Sequence, residues 1–222
     1  MAGLPNIIII SLDSCRPDHL GCYGHFRDTS PHLDRLAGEG VRFDRFFSVC
    51  GWTLPSHVSL MTGLDPMTHG LQEFQKANRR LPAGAPHLVR ELKAAGYITA
   101  GMAGDNVVFG FAPAVREGLD HMEMDVGNKD GQTMRPLVEK GLAWIEKVRR
   151  ENRKQPFFLY VHTNDIHSRG FFPDYTTAPE FLSKWTKDPD TRLLGKTPEE
   201  RAKIKAQYDG CISFVDHWIG IL

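Results

Sequence analysis

Short apolar segments alternate with helical patterns along most of the chain. Apolar, β-branched or aromatic runs predict strands at Asn6 to Leu12, Val41 to Val49, Tyr97 to Met102 and Phe157 to His162. The first and last of these runs are typical of strands buried on both faces of a parallel sheet. Apolar residues recur at helical spacing over 55–61, 87–95, 137–148 and 204–222. The alternation predicts an α/β fold with a mostly parallel sheet sandwiched by helices.

Two regions depart from this alternation. Residues 164–200 are rich in proline and glycine and predict a loop-rich insertion, either a substrate-facing lid or a surface excursion. The final helical pattern reaches Leu222 with an apolar stripe and no capping residue, which is typical of a helix inside a longer chain. We therefore expect a single α/β domain over residues 1–222, an N-terminal portion whose C-terminal part is missing.

The charge balance narrows the range of partners. Lys and Arg number 27, as do Asp and Glu, so the formal net charge is zero. A nucleic-acid-binding domain usually carries a basic excess, and we therefore expect no nucleic-acid partner. No apolar run approaches the roughly 18 residues that a membrane span needs, so no span is predicted. The N-terminus has no charged leader, which makes a cytoplasmic location the default expectation.

Polar side chains that can carry chemistry follow three of the predicted strands. Asp13 follows the first strand, Thr53 follows the second, and Asp165 and His167 follow the last. Ligands of α/β sheets bind beyond the carboxyl ends of the strands. Pro55 suits the first turn of a helix, so Thr53 lies at or just before a helix N-terminus, where free N–H groups favour an anion. A hydroxyl there, beside a carboxylate-bound metal, is a candidate nucleophile for a phosphoryl or sulfuryl centre.

Each candidate also has a purely structural interpretation. An aspartate after a strand, such as Asp13 or Asp165, often only fixes a turn. Thr53 is a suitable helix N-cap, a role that is compatible with catalysis. His57, one turn into the same helix, is either a surface residue or part of the site, and Arg16 is expected to pair with a carboxylate.

A series of motifs resembles one known family, in the same order along the chain. They are PNIIIISLDSCRPDHLGCYG at 5–24, TSPHLDRLAGEGVRFDRFFS at 29–48, TLPSHVSLMTG at 53–63, PFFLYVHTNDIH at 156–167 and YDGCISFVDHWIG at 208–220. At these residues the chain resembles the sulfatase family of the alkaline-phosphatase superfamily. The resemblance implies an alkaline-phosphatase-like fold and a sulfatase-like hydrolase of a sulfate or phosphate ester.

The resemblance also assigns roles to individual residues. Asp13 would be a metal ligand, Thr53 both ligand and nucleophile, and His57 would occupy the place of the motif's arginine. Asp165 and His167 would line the site, binding substrate oxygens or a second metal ion. His57 and His167 are then candidate catalytic residues, and Asp165 is a candidate metal ligand. The implied cofactor is a divalent ion (Ca, Mg, Mn or Zn), and the implied substrate is a small-molecule, glycan or lipid ester.

Three departures separate the chain from sulfatases that use formylglycine. Thr53 stands where the family has Cys or Ser, and its Cβ methyl prevents oxidation to that aldehyde. Asp13-Ser14 replaces the usual Asp-Asp pair, and GMAGDNVVFG at 101–110 replaces a G-K-W-H segment. Relatives with threonine at the nucleophile position resemble phosphotransferases and phosphodiesterases, which gives an alternative function that also uses Thr53.

A second alternative is a non-catalytic fragment or binding subunit. Family members carry a second metal-binding segment, of the Asp-His-Gly or Asp-Asn type, after the helix that YDGCISFVDHWIG resembles. Asp13 and Thr53 alone supply fewer ligands than the roughly six oxygens that a hard divalent ion takes. On this interpretation the metal site is incomplete.

Overall fold

The protein folds into two compact units, each assembled from separate stretches of the chain. The computed structural model describes residues 3–73, 80–104, 109, 113–124, 126–127, 132–151, 154–168, 175, 177–186 and 195–222. The first unit comprises Met1–Ser11, Arg45–Val126 and Glu139–His162, and the second comprises Leu12–Asp44, Gly127–Val138 and Thr163–Leu222. Much of the predicted insertion at 164–200, and residues 105–108 and 110 of the GMAGDNVVFG segment, lie outside the described residues.

The regular elements within the described residues are four strands and eight α-helices. The strands are β1 (Ile7–Leu12), β2 (Ile98–Ala103), β3 (His121–Glu123) and β4 (Phe157–Thr163). The helices are α1 (Pro31–Glu39), α2 (Thr53–Thr62), α3 (Pro66–His69), α4 (Leu88–Ala94), α5 (Pro113–Arg116), α6 (Met134–Glu151), α7 (Pro179–Leu182) and α8 (Pro198–Ile221). Two single 3-10 turns, Pro17–His19 and Gly21–Tyr23, precede α1. None of the helices that the structure describes has the length and apolar character needed to cross a bilayer.

The strands form one sheet in the order β1-β4-β2-β3. β2 runs parallel to both of its neighbours, with Ala100 opposite Leu159 on β4 and opposite His121 on β3. All seven residues of β4 are buried, as a strand between two others requires. β1 lies at the edge of the sheet and Ile8 is exposed, so the prediction that this strand is buried on both faces is wrong for the described chain.

The core of the first unit forms around α2 and the sheet. Val58 and Met61 of α2 are buried in one apolar cluster with Phe158 and Tyr160 of β4. The packing is also tight at Gly101 of β2, because a Cβ there would lie 2.6 Å from Leu119 Cδ1, so that a larger residue would displace this side chain.

The second unit is organised by α8. Its middle is almost completely buried, and the Asp216 carboxylate accepts hydrogen bonds from the backbone N–H groups of His32 (3.1 Å) and Leu33 (2.8 Å) at the start of α1. Gly220 permits the close approach of the two helices, because a Cβ there would lie 2.4 Å from the His32 ring. Thr197 caps α8 by accepting the Glu200 N–H. Side-chain caps therefore satisfy N–H groups that both helices would otherwise leave without partners.

Most of the predicted elements are confirmed, but one strand is wrong. The structure has no strand at Val41 to Val49, although the alternating pattern predicts one. Phe43, Phe46 and Phe47 are all exposed in this segment, so the apolar positions that suggested a strand have no sheet neighbour among the described residues. α1 and β3 were not predicted; they are short elements of nine and three residues.

Replacing Met61 by alanine tests the packing of α2. Met61 is 1% exposed, so Met61→Ala leaves a cavity and should lower the free energy of unfolding by about 2–5 kcal/mol. Its neighbour Leu60 on the same helix is 42% exposed, and Leu60→Ala should cost less than about 1 kcal/mol. Urea denaturation monitored by circular dichroism measures both. Equal losses in the two variants would contradict the described orientation of α2.

Candidate functional site

Thr53 is the first residue of α2, in the first unit. Trp52 is the N-cap, with extended backbone angles and no side-chain capping bond, so the alternative role of Thr53 as N-cap is wrong. Ser56 holds the preceding loop in place, because its hydroxyl bonds to the carbonyl oxygens of Trp52 (2.8 Å) and Cys50 (2.9 Å). The half-buried Thr53 therefore lies in the first turn of a ten-residue helix, where the helix dipole favours an anion.

His57 turns back toward the backbone of Thr53. Its Nδ1 lies 2.8 Å from the Thr53 carbonyl oxygen, and its Nε2 lies 3.2 Å from the hydroxyl of Ser11 on β1. The same hydroxyl lies 3.1 Å from Nδ1 of His162 on β4, and the two imidazole rings meet edge to face. Of the sequence-predicted residues, the structure thus joins His57 to Thr53 through the main chain of Thr53.

Ser11 and His162 were not among the predicted site residues. Each is a polar residue in a strand that is otherwise almost entirely apolar, close to the strand's carboxyl end. Strand periodicity places Ser11 on the same face as Asp13, two residues later, which is a signal that the sequence offered. Their contacts could not be predicted, because Ser11 lies 46 positions from His57 and 151 positions from His162 along the chain.

Asp13 begins the loop after β1, in the second unit. Its N–H donates to the Thr163 carbonyl oxygen (3.1 Å), and its Oδ1 accepts from the Ser14 hydroxyl (3.0 Å). Among the described non-glycine residues, Ser14 alone has a positive φ, of 60°. This left-handed conformation is uncommon for serine and more usual for Asp or Asn, so the backbone is strained where the resemblance leads one to expect a second aspartate.

Asp165 is buried in the second unit, where it caps α6. Its Oδ1 accepts the N–H of Thr133 (2.8 Å), and its Oδ2 accepts the N–H of Met134 (2.6 Å). Burial raises the pKa of this carboxyl, and the two backbone hydrogen bonds oppose that shift. These two hydrogen bonds agree with the structural interpretation of Asp165, in which the aspartate after the strand fixes a turn. Its use as a metal ligand stays a prediction.

His167 lies in the turn that follows β4. Its N–H donates to the Asn164 carbonyl oxygen (2.9 Å), and its Nδ1 lies 2.6 Å from the carbonyl oxygen of Ser168. The side chain is exposed, so Nε2 can reach a molecule in solution. Its predicted contact with substrate oxygens stays a prediction.

A different group of side chains in the second unit has the composition of a metal site. Potential ligand atoms of His19, His25 and Asp209 lie within 4.8 Å of one another, the one such group of three or more among the described His, Cys, Asp and Glu residues. The Arg27 guanidinium, however, lies 2.6 Å from the fully buried Asp209 carboxylate and already balances its charge. We therefore assign this cluster a structural role, tying the loop before α1 to α8.

The Asp13 carboxylate is a more suitable ligand for a hard cation than the cluster of His19, His25 and Asp209 is. A carboxylate of a half-buried loop residue is the ligand type that Mg²⁺ and Ca²⁺ prefer. Asp13, Asp165 and His167 do not form a group of three ligands within the described part of the second unit. The donors therefore fit a divalent ion in kind, while their number requires further ligands.

Comparisons with known proteins agree on one family and one fold. The Sulfatase family model matches residues 5–222. Arylsulfatase A from Homo sapiens is 38% identical over 103 residues, which are 45% of this chain and 20% of that protein.

Two solved structures show the same fold at low identity. The C-terminal periplasmic domain of EcEptC from Escherichia coli, in complex with zinc, superposes with a TM-score of 0.67 and 17% identity, over 99% of this chain and 58% of that one. The phosphonate monoester hydrolase of Agrobacterium radiobacter gives a TM-score of 0.68 and 18% identity, over 98% of this chain and 58% of that one. The chain thus spans less than two thirds of the length of these proteins.

Removing the charge of Asp209 tests the structural role of its cluster. Asp209→Asn leaves Arg27 and two histidines without their buried anion, and the free energy of unfolding should fall by about 2–4 kcal/mol. The exposed pair of Arg16 and Asp18 is the matched control, and Asp18→Asn should cost about 0.5 kcal/mol or less. Urea denaturation at constant ionic strength measures both. A wild-type midpoint for Asp209→Asn would show that the cluster contributes nothing to stability.

Proposed function

We propose, because the chain belongs to the sulfatase family, that it is the nucleophile-bearing portion of a metal-dependent hydrolase acting on a phosphoric or sulfuric ester. The observation that carries the proposal is the position of Thr53, a hydroxyl at the first residue of α2. There the helix N-terminus favours the charge that develops on the oxygens of a phosphoryl or sulfuryl group under attack. The alkaline-phosphatase-like fold inferred from the motifs supports the same reaction class.

Threonine at this position favours phosphorus over sulfur. Because Thr53 cannot be oxidised to formylglycine, its own hydroxyl is the nucleophile. Thr53 Oγ1 would form a bond to phosphorus as the ester bond breaks, and the alcohol would leave with a proton. Water would then attack the phosphothreonine, releasing phosphate and restoring the hydroxyl. A phosphonate monoester hydrolase with the same fold is in line with this choice.

The other predicted residues are proposed to bind the metal ion or the substrate, or to support the site structurally. Asp13 is proposed as a ligand of a divalent ion, which when bound supplies positive charge that stabilises an anionic transition state. Asp165 is proposed to fix the start of α6, and His167 to donate to a substrate oxygen from its exposed position. The substrate class is a phosphate ester of a small molecule, a glycan or a lipid, recognised chiefly through its anionic group.

Thr53→Ala should lower kcat by about 1,000-fold or more, because the nucleophile is removed. Thr53→Ser keeps a hydroxyl and should retain a measurable rate. Release of aryl alcohol from aryl phosphate, aryl phosphodiester and aryl sulfate esters, each with added Mg²⁺, Ca²⁺, Mn²⁺ or Zn²⁺, measures the effect. Thr62→Ser at the opposite end of α2 is the control and should keep the wild-type rate. Wild-type turnover by Thr53→Ala would exclude Thr53 as the nucleophile.

Metal titration separates the enzyme from a non-catalytic binding subunit. Asp13→Asn should weaken the binding of Mg²⁺ or Mn²⁺ by at least about 10-fold in calorimetry, since one anionic oxygen is lost. His19→Gln is the control and should leave the dissociation constant unchanged. If His19→Gln abolishes binding and Asp13→Asn does not, the ion belongs to the Asp209 cluster. If the wild type binds no ion at millimolar concentration, the metal-dependent proposal is wrong for this chain.

A further inference from the structure

A chain of hydrogen bonds in the first unit ends on the backbone of Thr53. It is made by one side chain from each of three elements: His162 on β4, Ser11 on β1 and His57 on α2. His162 is completely buried and His57 is 9% exposed, while Ser11 between them is half-buried. Tyr160 on β4 makes an edge-to-face contact with the His57 ring, with the ring centroids 6.5 Å apart.

The chemistry of the four groups fixes the direction of every bond. The Thr53 carbonyl oxygen can only accept, so Nδ1 of His57 must carry a hydrogen. A neutral imidazole has one N–H, so Nε2 of His57 is an acceptor and receives the hydroxyl hydrogen of Ser11. The Ser11 oxygen then accepts from an N–H at Nδ1 of His162. All three bonds therefore point from His162 toward the nucleophile-bearing residue.

We propose that Ser11 and His162 are positioning residues for Thr53, acting through His57. They hold His57 in the Nδ1–H tautomer and fix its ring plane, and His57 in turn holds the carbonyl of Thr53 in the first turn of α2. This inference rests on the proposed function, since it gives the chain of bonds a purpose only if Thr53 is the nucleophile. It also gives His57, which the resemblance puts in the place of the motif's arginine, an indirect role, because both ring nitrogens face protein groups.

The position of Thr53 matters for the rate because in-line attack is sensitive to the geometry of the nucleophile. A displacement of the nucleophile by about 1 Å can cost about 100-fold in rate, even when substrate binding is unaffected. Thr53 is a terminal residue of its helix, and helix ends fray more readily than helix centres. The hydrogen bond from His57 to the Thr53 carbonyl restricts that motion. A series of hydrogen bonds that all point the same way restricts it more than a single contact does.

The tautomers provide the first test, and they need neither substrate nor metal. A proton–nitrogen correlation spectrum of the imidazole rings should show Nδ1–H for both His57 and His162 in the wild-type chain. Ser11→Ala removes the central hydroxyl, so His162 should shift toward the Nε2–H form and the His57 Nε2 resonance should move. Ser59→Ala is a matched control, because Ser59 on α2 makes the same hydroxyl–imidazole contact with His69 (3.2 Å). Nε2–H at either ring in the wild type, or unchanged spectra in Ser11→Ala, would overturn the proposal.

Kinetics provide the second test. Ser11→Ala should lower kcat by about 10- to 100-fold while KM stays within about twofold, and Ser11→Thr, which restores the hydroxyl, should recover most of the rate. Ser59→Ala should keep the wild-type kcat. If Thr53→Ala is inactive but Ser11→Ala keeps its kcat, the positioning role fails and the proposed function stands. If Thr53→Ala is fully active, the proposed function fails, whatever the tautomers show.

Discussion

The placement of β4 inside the sheet is the constraint on which the rest of the first unit depends. Its seven residues are all buried, and the strand lies between β1 and β2. A strand in that position is mostly apolar, and a buried polar side chain within it is costly unless it is hydrogen-bonded. Nδ1 of His162 lies 3.1 Å from the hydroxyl of the half-buried Ser11. The packing of the sheet therefore also determines which polar groups lie near Thr53.

α2 connects the packing of the sheet to the position of Thr53. Its buried face is held against β4, and its first turn presents Thr53 with the favourable end of the helix dipole. The change from Cys or Ser to Thr removes the route to formylglycine, and the change from Arg to His at position 57 replaces a cation by a group that bonds to the backbone. Under the proposed function, these two residues provide a hydroxyl nucleophile and a hydrogen bond that holds its main chain.

Elements whose signal lies within one stretch of the sequence were predicted correctly, and an element whose formation depends on neighbouring strands was not. The strands β1, β2 and β4 and the long helices α6 and α8 were predicted because their periodicity is strong and unbroken. The segment Val41 to Val49 also alternates, but a strand needs a neighbouring strand to pair with, and no described strand pairs with this segment. An apolar pattern therefore predicts burial, and only pairing makes it a strand.

The sequence by itself determined the family, the strands β1, β2 and β4 and the place of Thr53 at the start of a helix, since these depend on short motifs and local patterns. The tertiary structure decided that Asp165 caps α6, that Asp209 pairs with Arg27, and that His57 bonds to Ser11. These contacts join residues 31, 182 and 46 positions apart. Which of many distant polar groups meet is set by the packing of the strands and helices that carry them, and the spacing of residues along the chain does not encode it.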